Sequence, residues 1–266
     1  MPTVPVSEPH QVRQIAESFG VDPARYDRTR PAYPEELVAR IVSESPGTGL
    51  LDVGCGTGIA ARQFAARGCD VLGVEPDERM AAFARRQGTD VEVGRFETWD
   101  ERDRTFDTIV SGTAWHWVDP VAGPVKAARL LPGGGRLALF WHVAEQPEDI
   151  ATAYADVFRR VVPDSPIPAP PRGGPPRTAL GRYLGFLAKV EDGVRAADGL
   201  GEPEQWQFEW TRYYTRDEWL DQLPTTGALT RVTPEQLDEI LAVVSESVGE
   251  GFTMRYTTVV IAAQRD

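Results

Sequence analysis

Between positions 49 and 142 two hydrophobic rhythms alternate along the chain. Short, nearly continuous apolar runs at 49–53, 70–75, 90–94, 106–111 and 135–142 predict strands buried on both faces. The stretches near 58–67, 77–86 and 119–130 space their apolar residues for one face of a helix; in the third, Val121, Val125 and Ala128 share a stripe. Strands alternating with helices pair in parallel, which predicts a doubly wound α/β sheet. Ahead of it, Pro34 and Glu35 open a helix with Leu37, Val38, Ile41 and Val42 on one face.

From 147 the rhythm changes. Ile150, Tyr154, Val157, Phe158 and Val161 stripe an amphipathic helix. The stretch 163–176 holds seven prolines and two glycines, so it predicts a loop, and a weaker helix follows at 179–190. Positions 206–214 alternate as a strand does, Thr215 caps a short helix, and Leu237, Ile240, Leu241, Val244 and Val248 stripe another. A β-branched run at 257–262 closes the pattern. The segment 146–205 reads as a cap inserted between the fifth and sixth strands.

The most specific chemistry lies at the first strand-to-helix turn, Asp52-Val53-Gly54-Cys55-Gly56-Thr57-Gly58. Glycines let a backbone turn tightly and approach a ligand, and the helix beyond offers free N–H groups. Glu75 ends the second strand, where an acid accepts the ribose hydroxyls of a nucleotide. A dinucleotide turn wants G-x-G-x-x-G, but Ile59 stands at the last glycine position. Asp52 ahead of the turn suits a sulfonium or ammonium group better than a pyrophosphate, so the spacing favours S-adenosylmethionine (SAM).

These residues, followed by Gly73-Val74-Glu75-Pro76, closely resemble motifs I and II of the class I SAM-dependent methyltransferases. Phe106 to Ser111, ending in Trp115-His116-Trp117-Val118-Asp119, resembles the fourth-strand motif, and Leu131-Pro132-Gly133-Gly134-Gly135 the turn before the fifth strand. Tyr26 through Arg30-Pro31-Ala32-Tyr33-Pro34 resembles the N-terminal lid of the branch containing trans-aconitate methyltransferases. The resemblance implies a Rossmann-like, mostly parallel seven-stranded sheet. It divides the chain into lid helices at 1–45, a SAM-binding core at 46–145, the cap at 146–205, and a closing part at 206–266.

The resemblance also implies roles. Gly54, Cys55, Gly56 and Gly58 would pack against SAM, Asp52 would orient the turn and the cofactor's amino group, and Glu75 would hold the ribose. Pro76 or Met80 would lie against the adenine, with Phe96 and Glu97 at the third strand's end and Ser111 on the fourth. Tyr26 and Arg30 would close over the cofactor, Arg30 toward its carboxylate. Trp115, Trp117, Tyr33 and His142 are expected to line the acceptor site. His116 is the nearby side chain suited to taking a proton near neutrality, although a packed, hydrogen-bonded imidazole is the alternative.

Composition narrows the partners. A net charge of −12 repels phosphate backbones, so nucleic acid is not expected. Two cysteines and three scattered histidines make no zinc spacing, and no metal is expected. The first twenty residues hold no apolar stretch, and the run 137–144 is too short for a bilayer, so the reading is cytoplasmic without membrane contact. The expected activity is methyl transfer to oxygen of a small organic molecule, a carboxylate included, by a monomer or homodimer. C- or N-methylation of a secondary metabolite, and a SAM-binding protein without activity, are the alternatives.

Overall fold

The computed structural model describes residues 18–163, 179–227 and 229–266. The proline-rich stretch, with Arg172 and Arg177, falls almost wholly outside them. Strands are β1 (Gly49–Val53), β2 (Asp70–Glu75), β3 (Asp90–Val93), β4 (Thr108–Gly112), β5 (Arg136–Glu145), β6 (Glu204–Thr215) and β7 (Gly251–Gln264). Helices are α1 (Pro23–Thr29), α2 (Glu35–Ser43), α3 (Ile59–Ala65), α4 (Glu78–Arg86), α5 (Ala122–Leu130), α6 (Glu148–Val161), α7 (Ala179–Arg195), α8 (Arg216–Gln222) and α9 (Pro234–Val248).

The strands form one seven-stranded sheet in the order β3-β2-β1-β4-β5-β7-β6. β3, β2, β1, β4 and β5 pair in parallel. β7 runs the other way: Gly134 and Gly135, just before β5, exchange backbone bonds with Arg265, just after β7. The amide of Gly201, ahead of β6, likewise donates to Gln264. The mostly parallel, Rossmann-like sheet expected from the sequence is therefore present.

The chain divides into two compact units, 31–142 with 183–208 and 258–266, and 18–30 with 143–182 and 209–257 among the described residues. The helices of the segment 146–205 are divided between them: α6 belongs to the second unit and most of α7 to the first. In the first unit, Leu50, Val110, Ala138 and Val260 of the sheet pack with Leu37, Val38 and Ile41 of α2 and Phe64 of α3. Glu35 and Glu36 in the first turn of α2, and Arg40 in its last, complement the helix dipole.

One stripe is overturned at two of its three positions, Ala128 alone being buried as expected. Val121 and Val125 are exposed at 72% and 53%, while Gly123, Ala127, Ala128 and Leu130 of α5 are buried. A Cβ on Gly123 would meet Val118 Cγ1 at 2.4 Å and Trp115 at 3.2 Å. At Gly123 the inward face of α5 has no room for a side chain, because Val118 and Trp115 already occupy that space.

The second unit packs α6 against α9 around Trp219, Tyr214, Phe252 and Tyr256. Thr215 and Glu218 form a capping box at α8, and Thr233 and Gln236 form one at α9. Thr215→Ala is expected to cost about 1 kcal/mol and lower the melting temperature by about 2–4 °C in a thermal scan.

Candidate functional site

β1 lies between β2 and β4, and the chain reverses its direction of travel across the sheet there. In an open α/β sheet that switch point leaves a crevice beyond the carboxyl ends of the strands. Asp52, Glu75 and Gly112 stand at or beside the carboxyl ends of β1, β2 and β4.

The glycine turn is built from left-handed backbone, with φ of 68° at Gly54, 56° at Gly56 and 86° at Gly58. The Gly54 amide donates to Val74 O at 2.8 Å, tying the turn to β2. A Cβ on Gly54 would stand 2.6 Å from Ala114 Cβ, and one on Gly58 would stand 2.8 Å from Thr89 Oγ1. On Gly56 its nearest neighbour would be Met80 Cε, at 3.9 Å. The outer glycines are therefore required by the protein's own packing, whereas the middle one has room for a methyl group in ordinary contact with Met80.

Two carboxyl groups are buried beside this turn. Asp52 is 1% exposed, and neither of its oxygens has a hydrogen-bond partner among the described residues. Burial, then repulsion from Glu75, pushes its pKa up to about 7, against a weaker opposing pull from the Ala61 amide. Glu75 accepts from the amides of Gly56 and Asp77, each at 2.9 Å. Burial still raises its pKa to about 7, because those two amides offset only part of the cost. An acid pair held there without a cation among the described residues is arranged for donors that come from outside.

Beyond β4, Thr113 takes a left-handed φ of 57° and opens a short 3-10 turn, Trp115–Trp117. Trp115 is buried, and its ring lies 5.8 Å from that of Phe96. His116 is 9% exposed, with Trp117 at 4.6 Å and Phe186 at 6.1 Å between ring centroids. Burial lowers its pKa to about 4, so it is neutral at physiological pH. Tyr33 stacks on His142 at 4.5 Å and shares a 3.2 Å hydrogen bond with Thr113, while His142 Nδ1 bonds Thr258 Oγ1 at 2.8 Å.

A family model described as a methyltransferase domain matches residues 51–139, the stretch that builds this crevice. An uncharacterised methyltransferase of Mycobacterium tuberculosis is 27% identical, over 94% of this chain and 97% of its own. The chain is a SAM-dependent methyltransferase with a Rossmann-like fold. Aklanonic acid methyltransferase of a Streptomyces species is also 27% identical, over 71% of this chain and 91% of its own. Among solved structures, a candidate type II methyltransferase of Anaeromyxobacter dehalogenans shares the fold, with 21% identity and a TM-score of 0.62 over 88% of this chain and 97% of its own.

Within the methyltransferase, several expected site residues have commitments to the protein itself. The Cys55 side chain packs on Ala81, Ala84 and Val91, and a Cβ on Gly73 would stand 2.5 Å from its sulfur, so only its backbone faces outward. Ser111 Oγ donates to Val53 O at 2.8 Å and braces β4 on β1. Glu97 accepts from the Asp119 amide at 2.8 Å, which anchors the loop after β4. Pro76 is exposed, and Met80 is buried beside Gly56. Tyr26 and Arg30 lie in the second unit; there the Arg30 guanidinium covers the Tyr26 ring at 4.7 Å and donates to Thr225 O.

Three residues escaped the sequence reading. Thr57 buries a hydroxyl without a hydrogen-bond partner among the described residues inside the turn, and its place between glycines could have drawn notice to it. Trp141 and Phe186 close around His116 from positions 25 and 70 residues away, and no local pattern marks either. Among the described residues, no cluster is placed to hold a metal ion and no helix is long and apolar enough to cross a membrane.

Proposed function

We propose that this methyltransferase acts on a small organic molecule and methylates it at oxygen, a carboxylate foremost. The observation that carries the reading of the site is the buried pair Asp52 and Glu75, with both Asp52 oxygens unpartnered among the described residues, beside the bare backbone of Gly56. These residues fit SAM. Glu75 would accept from the ribose hydroxyls, Asp52 would orient the amino group, and Gly54, Gly56 and Gly58 would let the backbone come close. Met80 and Phe96 offer apolar surface to the adenine. When bound, SAM supplies a methyl group already activated on a sulfonium, so the chain's own residues have to align an acceptor and exclude water.

The aromatic walls Trp115, Trp117 and Tyr33 suit both tasks, since ring faces exclude water and attract a sulfonium. The relative named for aklanonic acid supports an acidic organic acceptor. The segment 146–205 sets acceptor choice in this reading.

Titration calorimetry with SAM and S-adenosylhomocysteine tests the site. The wild type is expected to bind both, and Glu75→Ala to lose at least about tenfold in affinity, because a charge-assisted acceptor is removed. Equal affinity in the variant would sink the ribose assignment. Mass spectrometry of the product then separates a methyl ester or ether from C- or N-methylation.

A further inference from the structure

His116 is held in one protonation form by a residue on the neighbouring strand. The Trp141 indole N–H, on a side chain only 1% exposed, donates to His116 Nδ1 at 3.3 Å. An indole nitrogen donates and never accepts, so Nδ1 must present its lone pair. A flipped ring would leave a buried N–H without an acceptor, at a cost of about 1–3 kcal/mol. In the neutral imidazole the one proton therefore sits on Nε2. Among the described residues, Trp141 is the hydrogen-bond partner of this ring. The rings around it, Trp117 from the same turn, Trp141 from β5 and Phe186 from α7, carry no titratable group that would favour an imidazolium.

We propose that His116 acts as a hydrogen-bond donor through Nε2–H and not as a base, so that it selects acceptors whose reacting oxygen is already ionised, carboxylates above all. This rests on the reading of the enzyme as an O-methyltransferase. An alcohol or ammonium must lose a proton before or during attack, and the one lone pair that could take it is occupied by Trp141. A carboxylate needs no base: its oxygen forms the new C–O bond, the C–S bond breaks, and the electron pair leaves on sulfur. Neutral S-adenosylhomocysteine and a methyl ester result, with no proton released. A neutral donor can orient the second carboxylate oxygen without drawing off the charge of the attacking one.

The test is long-range proton–nitrogen NMR on the full chain with labelled histidine, assigned with His116→Gln, in the presence of S-adenosylhomocysteine. The expected spectrum shows His116 protonated at Nε2 and bare at Nδ1 throughout the neutral range. Added benzoate or citrate is expected to move the Nε2–H signal, where matched benzyl alcohol and benzylamine do not. Protonation at Nδ1, or an imidazolium, would overturn the donor assignment. A correct tautomer that no carboxylate perturbs would overturn the acceptor class. Release of S-adenosylhomocysteine with benzylamine but not benzoate would instead overturn the O-methylation reading while the tautomer stood. With an active carboxylate, kcat at saturating SAM is expected to be flat across the neutral range. Trp141→Phe, which frees Nδ1, is expected to introduce mixed tautomers in the spectrum.

Discussion

Replacing Asp52 by asparagine is expected to stabilise the ligand-free enzyme at about pH 8 while removing most of its affinity for SAM. In the folded chain the Asp52 pKa stands at about 7, against 3.8 for the free side chain. The folded state therefore holds a proton that the unfolded state gives up first. Below about pH 4 both states are protonated and the ionisation penalty vanishes. Between about pH 4 and 7 stability falls as the unfolded chain ionises, and above that the full penalty of a buried charge, on the order of 2–4 kcal/mol, persists. Asparagine removes the charge but leaves a buried amide, which returns about 1–2 kcal/mol of the gain. The net expectation is a melting temperature higher by about 2–6 °C at pH 8, and unchanged or lower at pH 5.

Affinity moves the other way. A cationic ligand favours the ionised carboxylates, so wild-type binding of SAM should strengthen as pH rises toward about 7 and then level off, with proton uptake by the buffer. Asp52→Asn should lose about ten- to a hundredfold and most of that pH dependence. Scanning calorimetry and titration calorimetry on the same two proteins decide it. A variant that melts lower than wild type at pH 8 and still binds SAM tightly would mean that the burial of Asp52 is a structural matter alone.

The second large effect separates two glycines in one turn. Gly54 and Gly56 share left-handed backbone, which any other residue adopts at about 1–2 kcal/mol. At Gly54 an added Cβ also collides with Ala114 at 2.6 Å. Gly54→Ala is therefore expected to lose about 2–4 kcal/mol of stability, near 5–10 °C in melting temperature. At Gly56 the same methyl meets nothing closer than 3.9 Å, so Gly56→Ala should melt only a few degrees low. Its affinity for SAM should nonetheless fall by at least about tenfold, because the methyl occupies the surface the ligand needs. Wild-type affinity in Gly56→Ala would show that the ligand does not approach the turn there.

Much of this was written in contiguous residues. The turn from Asp52 to Gly58 and the acid Glu75 lie on a strand, a turn and the strand paired beside it, so spacing put them together, while the bond from the Gly56 amide to the Glu75 carboxylate came from the structure. The helix cap at Thr215 was equally local. Where periodicity misled, as at Val121 and Val125, it counted hydrophobicity but not volume, and at Gly123 the buried face of α5 has no room for a side chain.

By itself, the sequence determined the alternation of strands and helices, the turn and its acid, and the family these belong to, because each depends on neighbours within a few residues or one crossover. The state of the chemistry was decided only in three dimensions. Glu97 is an available carboxylate in the sequence and an anchor for the Asp119 amide in the fold. Asp52 becomes half-protonated near neutrality because the sheet strips it of water beside Glu75. His116 looks like a base between two tryptophans until parallel pairing of β4 and β5 brings Trp141 against its Nδ1. Proton positions follow from burial and long-range partners, and one-dimensional spacing carries neither.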